Sequence, residues 1–207
     1  MLPLFPLNVV VFPFETIQLH IFEPRYKQLV YDALANNTTF GIPVFLNGTV
    51  QPIGTELKIA ELVKKYPDGT MDIKAEGLRI FRIENFYQPM PGKLHAGGVV
   101  SFLATEDDAD ITTKIKIIQR VTELYQIMKL NHNFSANQPY LSYKMGNKIG
   151  LSLAQQYQLL CLLLESERLE YIDECLNQII PIVQETERLR ELSRMNGFFR
   201  KFDPLQF

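Results

Sequence analysis

Along the first half of the chain apolar positions come in short runs, broken every few residues by glycine, proline and other turn formers. From about Ile111 they recur instead at every third and fourth residue. The first pattern is that of short strands in a barrel or curled sheet. The second, carried by Ile111, Ile115, Ile118, Val121, Tyr125 and Met128, is that of an amphipathic helix. A mostly β half, residues 1–103, therefore precedes a helical half, residues 104–207.

Within the β half the clearest reversal is Tyr66-Pro67-Asp68-Gly69-Thr70, where proline presets φ and Asp-Gly supplies the positive φ of a tight turn. After it Met71, Ile73 and Ala75 alternate with Asp72, Lys74 and Glu76, so one face packs and the other meets water. Gly77 interrupts this alternation before Leu78, Ile80 and Ile83 resume it, as expected where a bulge curls a sheet toward closure. One helix is inserted: Pro24 takes a first helical position, Tyr26, Leu29, Val30, Ala33 and Leu34 form its stripe, and Asn36-Asn37 ends it.

In the helical half a second helix opens at Ser152, whose hydroxyl caps the amide of Gln155 while that side chain bonds back. It carries Tyr157, Leu160 and Leu164, and continues or restarts through Leu169, Ile172, Leu176 and Ile179. Pro181 begins a new helix or kinks the old one, and Leu189, Leu192 and Met195 then give a stripe to Gly197. Three or four helices packed as a bundle behind a small barrel make the expected fold class α+β.

Composition narrows the function classes. The apolar fraction is 46% and the charged fraction 21%, as in ordinary globular proteins. With 21 basic and 23 acidic residues the formal charge is -2, which disfavours a nucleic-acid partner. Met1 to Phe14 is apolar, but Pro3, Pro6 and Pro13 and the lack of a basic residue before Arg25 argue against a signal peptide. The most apolar later stretch, Leu159 to Leu164, is far shorter than the roughly 20 residues of a membrane span. A soluble, cytoplasmic protein is expected. Cys161 and Cys175 stand roughly 20 Å apart if one helix carries both, too far to pair, and read as buried reduced thiols.

Leu2-Pro3-Leu4-Phe5-Pro6-Leu7, then Val10-Val11-Phe12-Pro13, then Leu19-His20-Ile21-Phe22-Glu23-Pro24-Arg25-Tyr26, resembles the opening of the N-terminal substrate-recognition domain of Lon-type proteases. Pro67-Asp68-Gly69 with Glu76-Gly77-Leu78-Arg79-Ile80-Phe81-Arg82-Ile83 resembles that family's second strip, and Leu164-Glu165 with Glu167-Arg168-Leu169 its third. The resemblance implies a curled β-barrel like that of pseudouridine synthases and archaeosine transglycosylases (PUA-like), then a helical bundle, in a module that binds proteins or peptides. Two departures stand out. Phe14 replaces the usual small residue after Phe-Pro, altering the local turn or adding an exposed aromatic. The chain ends at Phe207, where a full protease would continue into an ATPase, so a stand-alone domain is expected.

No motif for chemistry emerges. Gly92-Lys93 has Tyr87 where a phosphate loop needs glycine. Gly150-Leu151-Ser152-Leu153-Ala154 lacks the closing glycine of a nucleophile elbow and reads as a helix cap. His20, His95 and His132 form no ligand set, and two cysteines supply no zinc framework. The run Glu106, Asp107, Asp108 and Asp110 reads as a solvated helix start. Glu23 and Arg25 either face a ligand cleft or pin their helix to the barrel, and Arg79 and Arg82 either line a binding surface or simply face solvent. The aromatic tail from Phe198 and Phe199 either docks on its own body or offers a patch to a partner.

The expected protein is thus not an enzyme and uses no cofactor or metal. Its expected partners are unfolded or exposed polypeptide segments, alongside a separate protease, with Phe14, Arg25, Arg79, Phe198 and Phe199 as candidate contacts. RNA binding is the alternative, because the implied barrel also occurs in RNA-modifying proteins.

Overall fold

The computed structural model describes the backbone of residues 1–199 and the side chains of residues 1–194. The β half comprises β1 (Leu2–Leu4), β2 (Thr16–Ile21), β3 (Phe40–Leu46), β4 (Thr49–Lys65), β5 (Met71–Tyr87) and β6 (Ala96–Leu103), with helix α1 (Pro24–Asn36) between β2 and β3. The sheet order is β2-β5-β4-β3-β1-β6, and β6 pairs back onto β5. Those pairings close β5, β4, β3, β1 and β6 into a ring, with β2 held against the first half of β5.

Sequence chemistry explains the closure. Tyr66 to Thr70 turns as expected, with Gly69 at φ 79° and Asp68 accepting from the Thr70 amide at 3.0 Å. Met71, Ile73 and Ala75 are fully buried. The β4–β5 register slips between Leu57↔Gly77 and Glu56↔Arg79. A Cβ on Gly77 would lie 2.4 Å from the Phe12 carbonyl oxygen, so only glycine lets the chain before β2 cross here. Helix α1 ends on Asn37 in the left-handed region, and its Tyr26 ring stacks 3.7 Å from Phe5. That ring contact and the burial of Leu29 and Val30 in the same cluster hold α1 to the barrel. Glu23 and Arg25 do not: Arg25 donates to Glu23 itself, at 2.7 and 2.9 Å, and its guanidinium lies over Tyr26.

Four helices follow: α2 (Ile111–Ile127), α3 (Leu141–Met145), α4 (Leu153–Cys161) and α5 (Glu165–Phe199). One apolar cluster joins them to the barrel, with Phe12, Val44, Ile53 and Ile80 packed among Ile117, Val121, Leu160, Leu169 and Ile172. The buried face of α2 is Lys114, Ile117, Val121, Leu124 and Tyr125. This departs from the expected stripe, for Ile111, Ile115 and Met128 are exposed. The side that packs is the one whose Ile117, Val121 and Leu124 enter the main core, and two ion pairs fit the same rotation: Lys114 reaches Asp107 at 2.7 Å, and Arg120 reaches Asp173 of α5 at 2.8 Å.

The Ser152 capping box forms. The helix it opens stops at Cys161, because residues 162–164 go extended and Leu164 bridges Glu106. Cys161 and Cys175 therefore sit on separate helices, both as free thiols. Asp108 restarts the helix from outside, accepting from the Ser166 amide at 2.8 Å and its hydroxyl at 2.6 Å, while Asp110 caps α2 through Thr113. These bonds hold the carboxyls of Asp108 and Asp110 below the usual carboxylate range. The acidic run is thus not merely solvated; it builds two helix starts. Helix α5 then runs through Pro181 and past Gly197 without a new start.

Candidate functional site

Phe12 to Glu15 forms a β-turn closed by the Glu15 amide, which donates to the Phe12 carbonyl at 3.2 Å. Pro13 fills the second position, as proline favours. Phe14 fills the third with φ 65°, a conformation such turns ordinarily give to glycine or asparagine. Its neighbours enforce this. The Phe14 amide donates to Gly77 and the Gly77 amide donates to Glu15, each at 2.8 Å. Glu15 in turn accepts from the Phe12 amide at 2.9 Å and from Asn147 at 2.6 Å. The outcome is a phenylalanine side chain turned outward, 47% exposed, beside the fully buried Phe12.

The facing wall comes from α3 and its flanks. Phe12 stacks on Tyr143 at 5.5 Å, and Tyr143 stacks on Tyr140, whose ring lies 5.3 Å from that of Phe14. Burial pushes the Tyr143 hydroxyl up to about 12. A Cβ on Gly146 would lie 2.4 Å from the Phe12 ring, so glycine lets the end of α3 approach the barrel. Between the walls is a crevice of about 290 Å3 lined by Phe14, Glu15, Lys144, Asn147 and Lys148, among others. The Lys144 ammonium stands 3.5 Å from the Phe14 carbonyl oxygen.

Behind this wall lies a different environment. Glu165 and Arg168 are fully buried. Arg168 donates to Glu165 at 2.8 and 3.0 Å, to the Ser142 hydroxyl at 2.9 Å, and to the carbonyls of Leu162 and Glu106. Glu165 also accepts from the Ser142 amide and hydroxyl. This network fastens α3, the start of α5 and the segment after β6 to one another.

The other candidate contacts are dispersed. Arg79 donates to the buried Glu56 at 2.6 Å and lies 3.5 Å over Phe102, beside a second cleft formed at the start of β1, where residues 99–103 of β6 run past Leu2 and pair on one side only among the described residues. Arg25 sits at the start of α1, paired with Glu23. Phe198 and Phe199 belong to the last turn of α5, and their side chains and the tail after them lie outside the described residues. Lys144, Lys148 and Tyr140 were not read from the sequence; the mixture Tyr140-Leu141-Ser142-Tyr143-Lys144 was the available signal. Among the described residues no three or more His, Cys, Asp or Glu side chains group as a metal site, and no helix is long and apolar enough to cross a membrane.

A strand ring with a helical bundle packed across one side, and a crevice at the seam, defines an α+β domain. The profile of the ATP-dependent protease La (LON) substrate-binding domain matches residues 1–178, and the chain belongs to that family. Among solved structures it is similar to a Lon N-terminal domain protein from Xanthomonas campestris, at 28% identity and a TM-score of 0.64, over 82% of this chain and 94% of that one. It shares its fold with the N-terminal domain of a Lon protease from the Mycobacterium avium complex, at 17% identity and a TM-score of 0.65, over 85% and 97% of the two chains. A comparison with curated proteins finds no match.

Proposed function

We propose that this protein binds exposed segments of other polypeptides, as an adaptor or holdase, and that the crevice between the Phe12–Glu15 turn and α3 is its contact surface. Family membership supports a role in substrate recognition. The observation that carries the choice of surface is Phe14. A bulky residue in the left-handed region costs roughly 1–2 kcal/mol and persists where its surroundings impose it. Here that cost accompanies an aromatic side chain left half exposed at the mouth of a concave site. Aromatic anchors beside pockets carry much of the energy of polypeptide recognition.

The test uses the purified full chain with a chemically unfolded client. The expected result is suppressed client aggregation and retention of client peptides at tens of micromolar. Absence of both, with the protein folded, removes the proposal.

A further inference from the structure

The crevice carries charge as well as an aromatic group. Lys144 and Lys148 line it, both exposed, and no carboxylate pairs with either among the described residues. Elsewhere Lys74, Lys93, Lys114, Lys116 and Lys129 each hold an acidic partner, whereas Lys27 donates to the Asp68 carbonyl and Lys64 and Lys65 lie over the rings of Tyr66 and Tyr31; what sets Lys144 and Lys148 apart is that they line one crevice together. The crevice does contain one carboxylate, Glu15, but its two oxygens are occupied by the Phe12 amide and Asn147. The Lys148 ammonium lies 5.7 Å over the Phe134 ring, a contact that does not cancel its charge, so two cations line the crevice against one already bonded anion and leave an excess positive charge near Phe14.

We propose that this crevice selects polypeptide segments in which an aromatic or large aliphatic side chain lies next to carboxylates, and disfavours their basic counterparts. The inference rests on the polypeptide-binding reading above and specifies its ligand. The apolar side chain packs on Phe14, whose ring is backed by Tyr140, and removal from water there supplies most of the affinity. The carboxylate meets Lys144 and Lys148. Exposed charge pairs are individually weak, so this second contact gives preference between ligands rather than tight binding. A basic segment meets the same lysines with like charge, which widens the difference.

The experiment is fluorescence anisotropy on the full chain with two labelled peptides of one length. One places Asp and Glu beside Phe and Leu; its twin carries Lys at every acidic position. We expect the acidic peptide to bind on the order of tenfold more tightly, a gap of about 1.4 kcal/mol, with the gap narrowing as salt is raised. Lys144→Glu combined with Lys148→Glu should abolish or invert the preference. Phe14→Gly should weaken both peptides while keeping their ratio.

Equal binding of the two peptides by the wild-type chain overturns the proposal, as does a preference that neither salt nor the lysine substitutions alter. So does lysine-dependent binding of a single-stranded oligoribonucleotide without binding of either peptide. An unfolded client retained with no acidic preference sinks this inference and leaves polypeptide binding standing. Failure of the client and both peptides alike removes both. Should the double substitution unfold the chain, the salt dependence of the wild-type ratio decides alone.

Discussion

Helix α3 is five residues long, and its two sides teach opposite lessons about charge. Inward, Ser142 meets Glu165 and Arg168, two fully buried ions whose bonds run to each other, to a hydroxyl and to backbone carbonyls. Outward, Lys144 stands in the crevice with the Phe14 carbonyl as its hydrogen-bond acceptor and no carboxylate partner among the described residues. Ions that hold a fold are surrounded by partners, because an unpaired charge in the interior costs several kcal/mol. Ions that meet a ligand are hydrated and leave capacity for one. A charged residue beside a groove is therefore informative in proportion to what it has not yet bonded. By that measure Arg79, whose guanidinium is engaged by Glu56 and Phe102, offers less to a ligand than Lys144, and less than Lys148, whose ammonium lies 5.7 Å over the Phe134 ring but pairs with no carboxylate among the described residues.

The inward side should break hardest. Arg168→Met removes the cation and leaves Glu165 charged in the interior, a loss of about 3–5 kcal/mol. Thermal unfolding should fall by roughly 6–20 °C in a chain of this size. Adding Glu165→Gln, which removes the stranded charge yet still accepts from Ser142, should restore part of the loss. A double variant no more stable than Arg168→Met would show that packing, not charge, dominates this network. Gly146→Ala comes next. Its new methyl would meet the Phe12 ring and force α3 away from the barrel, an overpacking cost of about 1–3 kcal/mol measurable by urea unfolding.

Much of the scaffold was legible where the determinants are local. The Pro67-Asp68-Gly69 turn, the alternation from Met71 to Ala75, the proline start of α1 and the Ser152 box each lie within a few residues and formed as expected. What escaped depends on groups far apart in the chain. The buried face of α2 differs from the expected one because Ile115 and Ile117 are equally apolar, and which turns inward depends on the core that α5 and the barrel offer to Ile117, Val121 and Leu124, with Asp107 and Asp173 placed to pair with Lys114 and Arg120. The break after Cys161 depends on Glu106 and Asp108, more than fifty residues earlier. Half the crevice was visible in Phe14, an unexpected aromatic after Phe-Pro. The other half was not, since Lys144 and Lys148 lie some 130 residues away and carry no periodic signal.

The outward side should hardly register in stability, and the order of two small substitutions makes that sharp. In a helix or strand, replacing a residue by glycine is worse than replacing it by alanine. At Phe14 the order should reverse. Both variants lose the ring contact with Tyr140, worth about 0.5–1.5 kcal/mol. Alanine keeps a Cβ in the left-handed region and with it the roughly 1–2 kcal/mol of strain, whereas glycine relieves it. Phe14→Gly should therefore remain within ~1 kcal/mol of wild type and melt at or above Phe14→Ala, read by calorimetry on the two proteins side by side. Alanine melting higher than glycine would mean that the Phe12–Glu15 turn does not force Phe14 into positive φ, and the exposed ring would then need no strain to explain it.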